Sequence, residues 1–129
     1  MKKSKLSKPT EAELSILRVL WRQGPSTVRA IWEDIDPEQR TGYTTVLKIM
    51  QIMFEKGLLD RDETQRSHVY TPRLTEEQTQ QQVLRHLLER VFSGSARKLV
   101  MQALAVKKAT PAELAEIRKM LDELEGGKT

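Results

Sequence analysis

The sequence of 129 residues contains no cysteine, few aromatic residues and no long apolar run. The lack of cysteine excludes a disulfide framework and any thiolate metal or redox site. No stretch is long enough for a membrane span, and the basic start has no apolar segment behind it, so we expect a cytoplasmic protein without membrane insertion. Only 38% of the residues are hydrophobic and 5% are aromatic. A core of that composition is small, and part of the chain is expected to need a partner.

Residue types that carry enzyme chemistry are also scarce. The chain has no glycine-rich phosphate loop and no cysteine nucleophile, and its two histidines, His68 and His86, fall in different predicted units. A shared catalytic or metal site is therefore not expected, and we predict neither an enzyme nor a cofactor. His68 is predicted to lie on a strand, exposed to solvent or near a phosphate, and His86 to lie at the edge of an apolar helix face. The alternative for either histidine is pH sensing.

The positive charge of the chain is mild and unevenly placed. The net charge is +4, and residues 1–73 contain 13 Lys and Arg against 10 Asp and Glu, whereas residues 74–129 contain 9 against 8. An N-terminal arm with Lys2, Lys3, Lys5 and Lys8 supplies more than the excess of the first part. Clustered basic residues of this kind can contact nucleic-acid phosphates and give a salt-dependent affinity. The alternative is a solvated, disordered start.

The first 42 residues predict two short helices. A capping-box pattern at Thr10 starts the first helix, and Gly24-Pro25 ends it. Ser26 or Thr27 then caps the second helix, which Asp36-Pro37 ends. Both helices carry apolar residues at helical spacing, and both tryptophans are predicted to pack in or near a core. These positions are Leu14, Leu17, Leu20 and Trp21 in the first helix and Val28, Ile31, Trp32 and Ile35 in the second.

Residues 41–70 predict a third helix followed by a two-stranded hairpin, the wing. Gly57 stops the helix, residues 60–67 form a charged turn, and residues 68–71 form a second strand that Pro72 terminates. Three helices followed by such a hairpin predict a winged helix-turn-helix. The core-facing positions of the third helix are Val46, Ile49, Met50, Met53 and Phe54.

Side chains off that apolar stripe form the predicted DNA-reading surface. Their hydroxyl, amide and ammonium groups suit base edges in the major groove, whereas the alternative is that two threonines only cap the helix. Arg66, near the tip of the hairpin, is predicted to contact phosphate or to reach into the minor groove. The predicted DNA-binding residues are Thr44, Thr45 and Lys48 in the groove, Tyr43 and Gln51 at its edge, and Arg66 on the wing.

Three more helices follow, in a region of residues 74–129 that we separate from a DNA-binding domain of residues 1–73. Ser93-Gly94 breaks the fourth helix, and Thr110-Pro111 starts the sixth. Their apolar faces are too broad for three helices to hide, which favours pairing with a second copy of the chain over packing within one chain. The predicted dimer interface comprises Leu84, Leu87, Leu88, Val91 and Phe92 in the fourth helix and Leu114, Ile117, Leu121 and Leu124 in the sixth. The fold class is thus mainly α with a small β-hairpin wing.

The order of these motifs resembles the BlaI/MecI/CopY-type penicillinase repressors over roughly residues 7–125. The resemblance implies a homodimeric repressor whose winged helices bind a palindromic DNA operator and whose C-terminal helices hold the dimer. The alternative is a winged-helix protein-interaction module without sequence-specific DNA binding. The motifs that carry the resemblance are Thr10 to Trp21, Gly42 to Val46, Glu55 to Leu59, Val69 to Pro72, Leu99-Val100 and Pro111 to Leu121.

Two regulatory mechanisms of such repressors depend on residues that differ here. In antibiotic-sensing members, a membrane sensor with a metalloprotease domain leads to cleavage of the repressor at an Asn-Phe bond in the dimerisation part. The matching position is Gln102-Ala103, so this regulation is not carried over directly. In copper-responsive members a cysteine-rich tail binds metal, and the lack of cysteine excludes that mechanism.

Overall fold

A computed structural model of the protein describes residues 8–36, 38 and 40–126. It confirms the predicted fold class, because the described residues form six helices and one antiparallel hairpin. Lys2, Lys3 and Lys5 of the basic arm, and Pro37, lie outside the described residues. The elements are α1 (Glu11–Gln23), α2 (Val28–Ile35), α3 (Tyr43–Lys56), β1 (Leu59–Asp62), β2 (Val69–Pro72), α4 (Glu76–Arg90), α5 (Ala96–Val106) and α6 (Pro111–Gly126).

The start of α1 is tied to the end of α3 by one buried carboxylate. The Thr10 hydroxyl accepts a hydrogen bond from the Glu13 amide at 3.1 Å, and the Glu13 carboxylate accepts one from the Thr10 amide at 3.0 Å, which confirms the capping box. The other Glu13 oxygen lies 2.8 Å from Lys56 Nζ. Glu13 is only 4% exposed, so the ion pair with Lys56 offsets the cost of burying this carboxylate.

The hairpin is joined to the helices through the segment before α2. Ser26 and Tyr70 exchange backbone hydrogen bonds of 3.1 and 2.8 Å, so Ser26 forms an isolated antiparallel bridge with β2. The cap of α2 is therefore Thr27, whose hydroxyl accepts from the Ala30 amide. The sequence left Ser26 and Thr27 open as alternatives, and the pairing of Ser26 with Tyr70 decides between them.

The hairpin differs in detail from the prediction. β1 runs to Asp62 and β2 begins at Val69, so the turn is shorter than predicted and His68 precedes the strand. Pro72 is the last residue of β2, opposite Leu59, so the strand ends at this proline as predicted. A proline is tolerated there because the end of a strand does not require its missing N–H group.

The fourth helix also ends earlier than predicted. α4 stops at Arg90, so Val91 and Phe92 lie in the following turn instead of on the helix. Ser93 and Gly94 have φ angles of 51° and 78°, which is the left-handed backbone that reverses a chain after a helix. The prediction that two apolar residues continue the helical face there was wrong.

The chain separates into two compact units, residues 1–86 and 87–129. The first unit contains an apolar core drawn from α1, α2, α3 and the hairpin, and both tryptophans pack against that core as predicted. In the second unit none of the described residues is buried. The boundary between units lies inside α4, and the predicted division of function at residue 73 stays a prediction.

Candidate nucleic-acid interface

The start of α3 is held in place by its connection from α2. The Asp36 carboxylate accepts hydrogen bonds from the backbone amides of Arg40, at 2.9 Å, and Thr41. The Trp32 indole donates to the Thr41 carbonyl oxygen at 2.7 Å. These contacts fix the loop at both ends, so the first turn of α3 has a defined position next to α2.

The two faces of α3 differ in burial as the sequence predicts. Val46, Met50 and Met53 are buried in the core. Gly42 occupies the N-cap position without a side-chain hydrogen bond, and the two predicted threonines lie inside the helix, so neither caps it. The five predicted reading residues are all exposed, namely Tyr43, Thr44, Thr45, Lys48 and Gln51.

Sequence reasoning missed one apolar residue on this exposed face. Ile52 is 41% exposed and follows Lys48 by four residues and Thr45 by seven, so it shares their side of the helix. An exposed aliphatic side chain can contact a thymine methyl group in the major groove. The spacing of Ile52 from Thr45 and Lys48 was a signal available in the sequence.

A groove of about 490 Å³ lies between the start of α2, the side of α3 that carries Tyr43, Leu47 and Gln51, and the wing. Its polar lining includes Arg29 from α2, Gln51 from α3 and three residues of the hairpin, namely Arg61, Arg66 and His68. Arg66 is exposed, and among the described residues no ion pair involves it. The groove is therefore an open channel with positively charged groups on two sides, which suits a polyanion.

Arg61, the other arginine of the hairpin, is held within the wing. Its guanidinium lies 4.0 Å from the centre of the Phe54 ring, and its Nε donates to Glu63 at 2.7 Å. Hydrogen bonding to the Tyr70 side chain, followed by Glu63, raises the pKa of Arg61. This arginine anchors the wing to α3, so Arg66 is the more available of the two cations for DNA.

Acidic residues of the wing also have partners inside it. Asp60 pairs with Arg73 at 2.7 Å. Asp62 accepts hydrogen bonds from the Thr64 amide at 2.9 Å and the Thr64 hydroxyl at 2.7 Å, and these bonds lower the pKa of the Asp62 carboxyl. The hydrogen bonds at Asp62 stabilise the turn of the wing.

A second residue that sequence reasoning missed is Arg29. Its guanidinium carbon lies 5.8 Å from the centre of the Trp32 ring and 5.4 Å from that of the Tyr43 ring. The two rings meet edge to face, with centres 5.8 Å apart and an interplanar angle of 88°. Spacing within α2 relates Arg29 to Trp32, but only the tertiary structure brings both to Tyr43.

The predicted dimer residues carry much exposed apolar surface within a single chain. Leu84, Leu87, Val91, Leu121 and Leu124 are exposed. The other predicted members are partly buried, namely Leu88, Phe92, Leu114 and Ile117. Sequence reasoning did not include several further exposed apolar residues of the second unit, which are Val100, Met101, Leu104, Val106 and Met120.

The predicted cleavage region lies in the middle of α5. Gln102 and Ala103 are both exposed and both helical. Among the described residues, no cluster of His, Asp or Glu could hold a metal ion. None of the described helices is both long and apolar enough to cross a membrane.

Comparison with known sequences adds to this geometry. The sequence profile of the family described as penicillinase repressor matches residues 9–123, which is most of the chain. This protein belongs to the penicillinase repressor family. The match covers α1 to α5 and most of α6, so it includes both the winged helix and the helical region behind it.

Individual relatives of the penicillinase repressor family are similar over nearly their whole length. The penicillinase repressor of Bacillus licheniformis is 21% identical over 119 residues, which cover 92% of this chain and 93% of that protein. The transcriptional regulator BlaI of Mycobacterium tuberculosis H37Rv is 26% identical over 125 residues, or 96% and 90% of the two chains. The methicillin resistance regulatory protein MecI of Staphylococcus aureus N315 is 18% identical over 114 residues, or 88% and 93%.

Proposed function

We propose that this protein is a homodimeric transcriptional repressor that binds a palindromic operator through α3 and the wing. The observation that carries the proposal is the exposed polar face of α3, on a helix whose opposite face is buried in the core. Relatives named as repressors and as a transcriptional regulator support the same role. A helix anchored in this way can enter the major groove without losing its own packing.

In this proposal the residues of the α3 face have different tasks. Thr45 and Lys48 read base edges, since a threonine offers a hydroxyl and a methyl group and a lysine can reach guanine. Thr44 lies beside them, and Tyr43 and Gln51 lie at the edge of the DNA major groove. Ile52 adds an apolar contact that suits a thymine methyl group.

The second unit is proposed to hold the dimer. Most of the large apolar side chains that are exposed among the described residues belong to residues 87–126. No described residue of this unit is buried within one chain, so α5 and α6 lack a core of their own. A second copy would cover these residues, and its two-fold symmetry would match a palindromic site.

A regulatory cut in α5 would act through this dimer. Cleavage between Gln102 and Ala103 would separate α6 from the winged helix and remove its part of the interface. Both residues are helical, so a protease would first need to unwind α5 locally. Inactivation by a membrane metalloprotease sensor would take this form.

A mobility-shift assay with DNA from upstream of the protein's own gene tests the proposed function. We expect a specific complex whose affinity falls steeply as salt increases, because phosphate contacts release counterions. A genome-wide binding map would then identify the operator and the regulated genes. Equal affinity for every DNA sequence, or no binding to DNA, would favour the protein-interaction alternative.

Charge reversal at Arg66 tests the wing. Arg66→Glu is expected to weaken binding to operator and random DNA about equally and to reduce the salt dependence, because the proposed contact is with phosphate or the minor-groove backbone. Arg18→Glu is the matched control, since Arg18 is exposed on α1 and does not line the groove. Titrations of each variant with operator and random duplexes at several salt concentrations provide the measurement. Unchanged affinity and salt slope for Arg66→Glu would show that the wing does not contact DNA.

A further inference from the structure

We infer that Arg29, whose guanidinium lies over the rings of Trp32 and Tyr43, binds a DNA phosphate at the edge of the protein groove between α2, α3 and the wing. This inference rests on the proposed function and assigns a residue outside the α3 face to it. It also gives Tyr43 the task of supporting a guanidinium, in addition to its place at the edge of the reading surface.

The seat under Arg29 is built from two elements. Both ring centres lie within the distance of roughly 6 Å at which a cation is attracted to an aromatic face, at 5.8 Å for Trp32 and 5.4 Å for Tyr43. The Trp32 indole is itself fixed by its 2.7 Å hydrogen bond to the Thr41 carbonyl oxygen. An arginine held in this way loses less conformational freedom when it binds a ligand.

The hydrogen-bonding groups of Arg29 remain available. A guanidinium has five N–H donors, which point outward in its own plane. The contact with the aromatic rings attracts the positive charge but leaves these donors available for a ligand. The only ion pair found for Arg29 among the described residues is with Glu33, at 4.0 Å. Both side chains of this pair are about two-thirds exposed, and exposed pairs of this type contribute little to stability. A phosphate can therefore replace Glu33 as the partner at small cost.

The position of Arg29 fits a phosphate better than a base. Arg29 lies in the first turn of α2, which contains no acidic residue. The positive end of the helix dipole and the guanidinium therefore both attract a phosphate there. Arg29 and Arg66 line the same groove from α2 and from the wing. A nucleic-acid backbone in that groove would meet a guanidinium on each side, while α3 supplies the base contacts.

A pair of substitutions separates phosphate binding from the intrahelical ion pair. Arg29→Gln and Glu33→Gln both remove the ion pair, but only Arg29→Gln removes the phosphate donor. Affinity for operator and for random duplexes of equal length would be measured for each variant between 50 and 200 mM salt. Arg29→Gln is expected to weaken both complexes by the same factor and to lower the salt slope by about 0.9 for each half-site. Glu33→Gln is expected to keep the full slope and to bind as well as the wild type or better.

Two further variants test the aromatic seat. Arg29→Lys keeps the charge but not the planar guanidinium, and Tyr43→Leu removes one ring while leaving Arg29 in place. Each is expected to keep the salt slope and to bind less tightly than the wild type, with Arg29→Gln the weakest of the three. Thermal unfolding of every variant gives an independent control for the stability of α2.

The outcomes distinguish this inference from the proposed function. The inference would be overturned if Arg29→Gln kept the wild-type salt slope, or if Glu33→Gln lost as much DNA affinity as Arg29→Gln. The repressor function would stand in either case if the variants still preferred operator to random DNA. A wild-type protein that binds no DNA would overturn both. A loss confined to operator DNA would assign Arg29 to base reading and would also overturn the inference.

Discussion

Replacing Leu121 with aspartate is expected to convert the protein from a dimer to a monomer. Leu121 is 55% exposed in the single chain, so the substitution removes little packing within it. In the proposed dimer the same position is buried, and an unpaired carboxylate there is strongly unfavourable. Truncating a buried leucine to alanine typically costs about 2–5 kcal/mol, and in a symmetric dimer each change occurs twice.

The affinity for operator DNA should decrease when the dimer dissociates. A monomer engages one half-site and loses the effective concentration that tethering gives to the second, a loss of about 100-fold or more in affinity. The core of the winged helix is made from α1, α2, α3 and the hairpin, so the winged helix is expected to remain folded. Its thermal unfolding should therefore change little while operator affinity falls sharply.

Sedimentation at micromolar concentration measures this result. Ala115→Asp is the matched control, since Ala115 is exposed on the same helix, lies off the predicted seam and undergoes the same change in charge. It should remain a dimer. If the wild-type protein is a monomer at this concentration, or if Leu121→Asp is still a dimer, the proposed interface is wrong. In that case α5 and α6 pack only within one chain.

Substitution of Thr45 is expected to weaken operator binding by about 1–3 kcal/mol for each half-site if the side chain contacts a base. Thr45 is exposed on α3, whereas Met50 and Met53 of the same helix are buried. Gly42, rather than a threonine, occupies the N-cap. Thr45→Ala should therefore remove a DNA contact without removing a cap, and affinity for random DNA should change far less than affinity for operator.

Two conservative variants identify which part of the threonine is read. Thr45→Val keeps the methyl group and removes the hydroxyl, whereas Thr45→Ser keeps the hydroxyl and removes the methyl group. A larger loss for Thr45→Val indicates hydrogen bonding to a base edge, and a larger loss for Thr45→Ser indicates contact with a thymine methyl group. The ratio of operator to random affinity would be measured for each folded variant. If all three variants keep the wild-type ratio, Thr45 is not part of the base-reading set.

Local signals predicted the helices of this protein well. The capping box predicted at Thr10 forms in the structure, and capping boxes also form at Thr75 and Thr110. Gly57 adopts the left-handed conformation expected after α3, with φ of 88°. Such features depend on contacts over three or four residues, so the sequence alone contains the information for them.

Local signals failed where a distant residue decided the outcome. The cap of α2 was open between Ser26 and Thr27 until the pairing of Ser26 with Tyr70 decided it. Val91 and Phe92 continued an apolar pattern, but α4 ends at Arg90 and the backbone reverses at Ser93 and Gly94. Apolar periodicity shows which residues share a face, and it does not show where a helix ends.

The sequence by itself determined the winged-helix architecture and the polar face of α3, because helical periodicity separates a buried stripe from an exposed one within a single element. Only the tertiary structure decided which cations are available beside that face. The sequence places Arg66 near the tip of the hairpin, and the structure adds that packing on Phe54 and pairing with Glu63 hold Arg61 inside the wing. The guanidinium of Arg29 contacts two aromatic rings only because the fold places Tyr43 of α3 next to Trp32 of α2. Contacts between elements far apart in the chain depend on packing of the whole unit, and no local pattern encodes them.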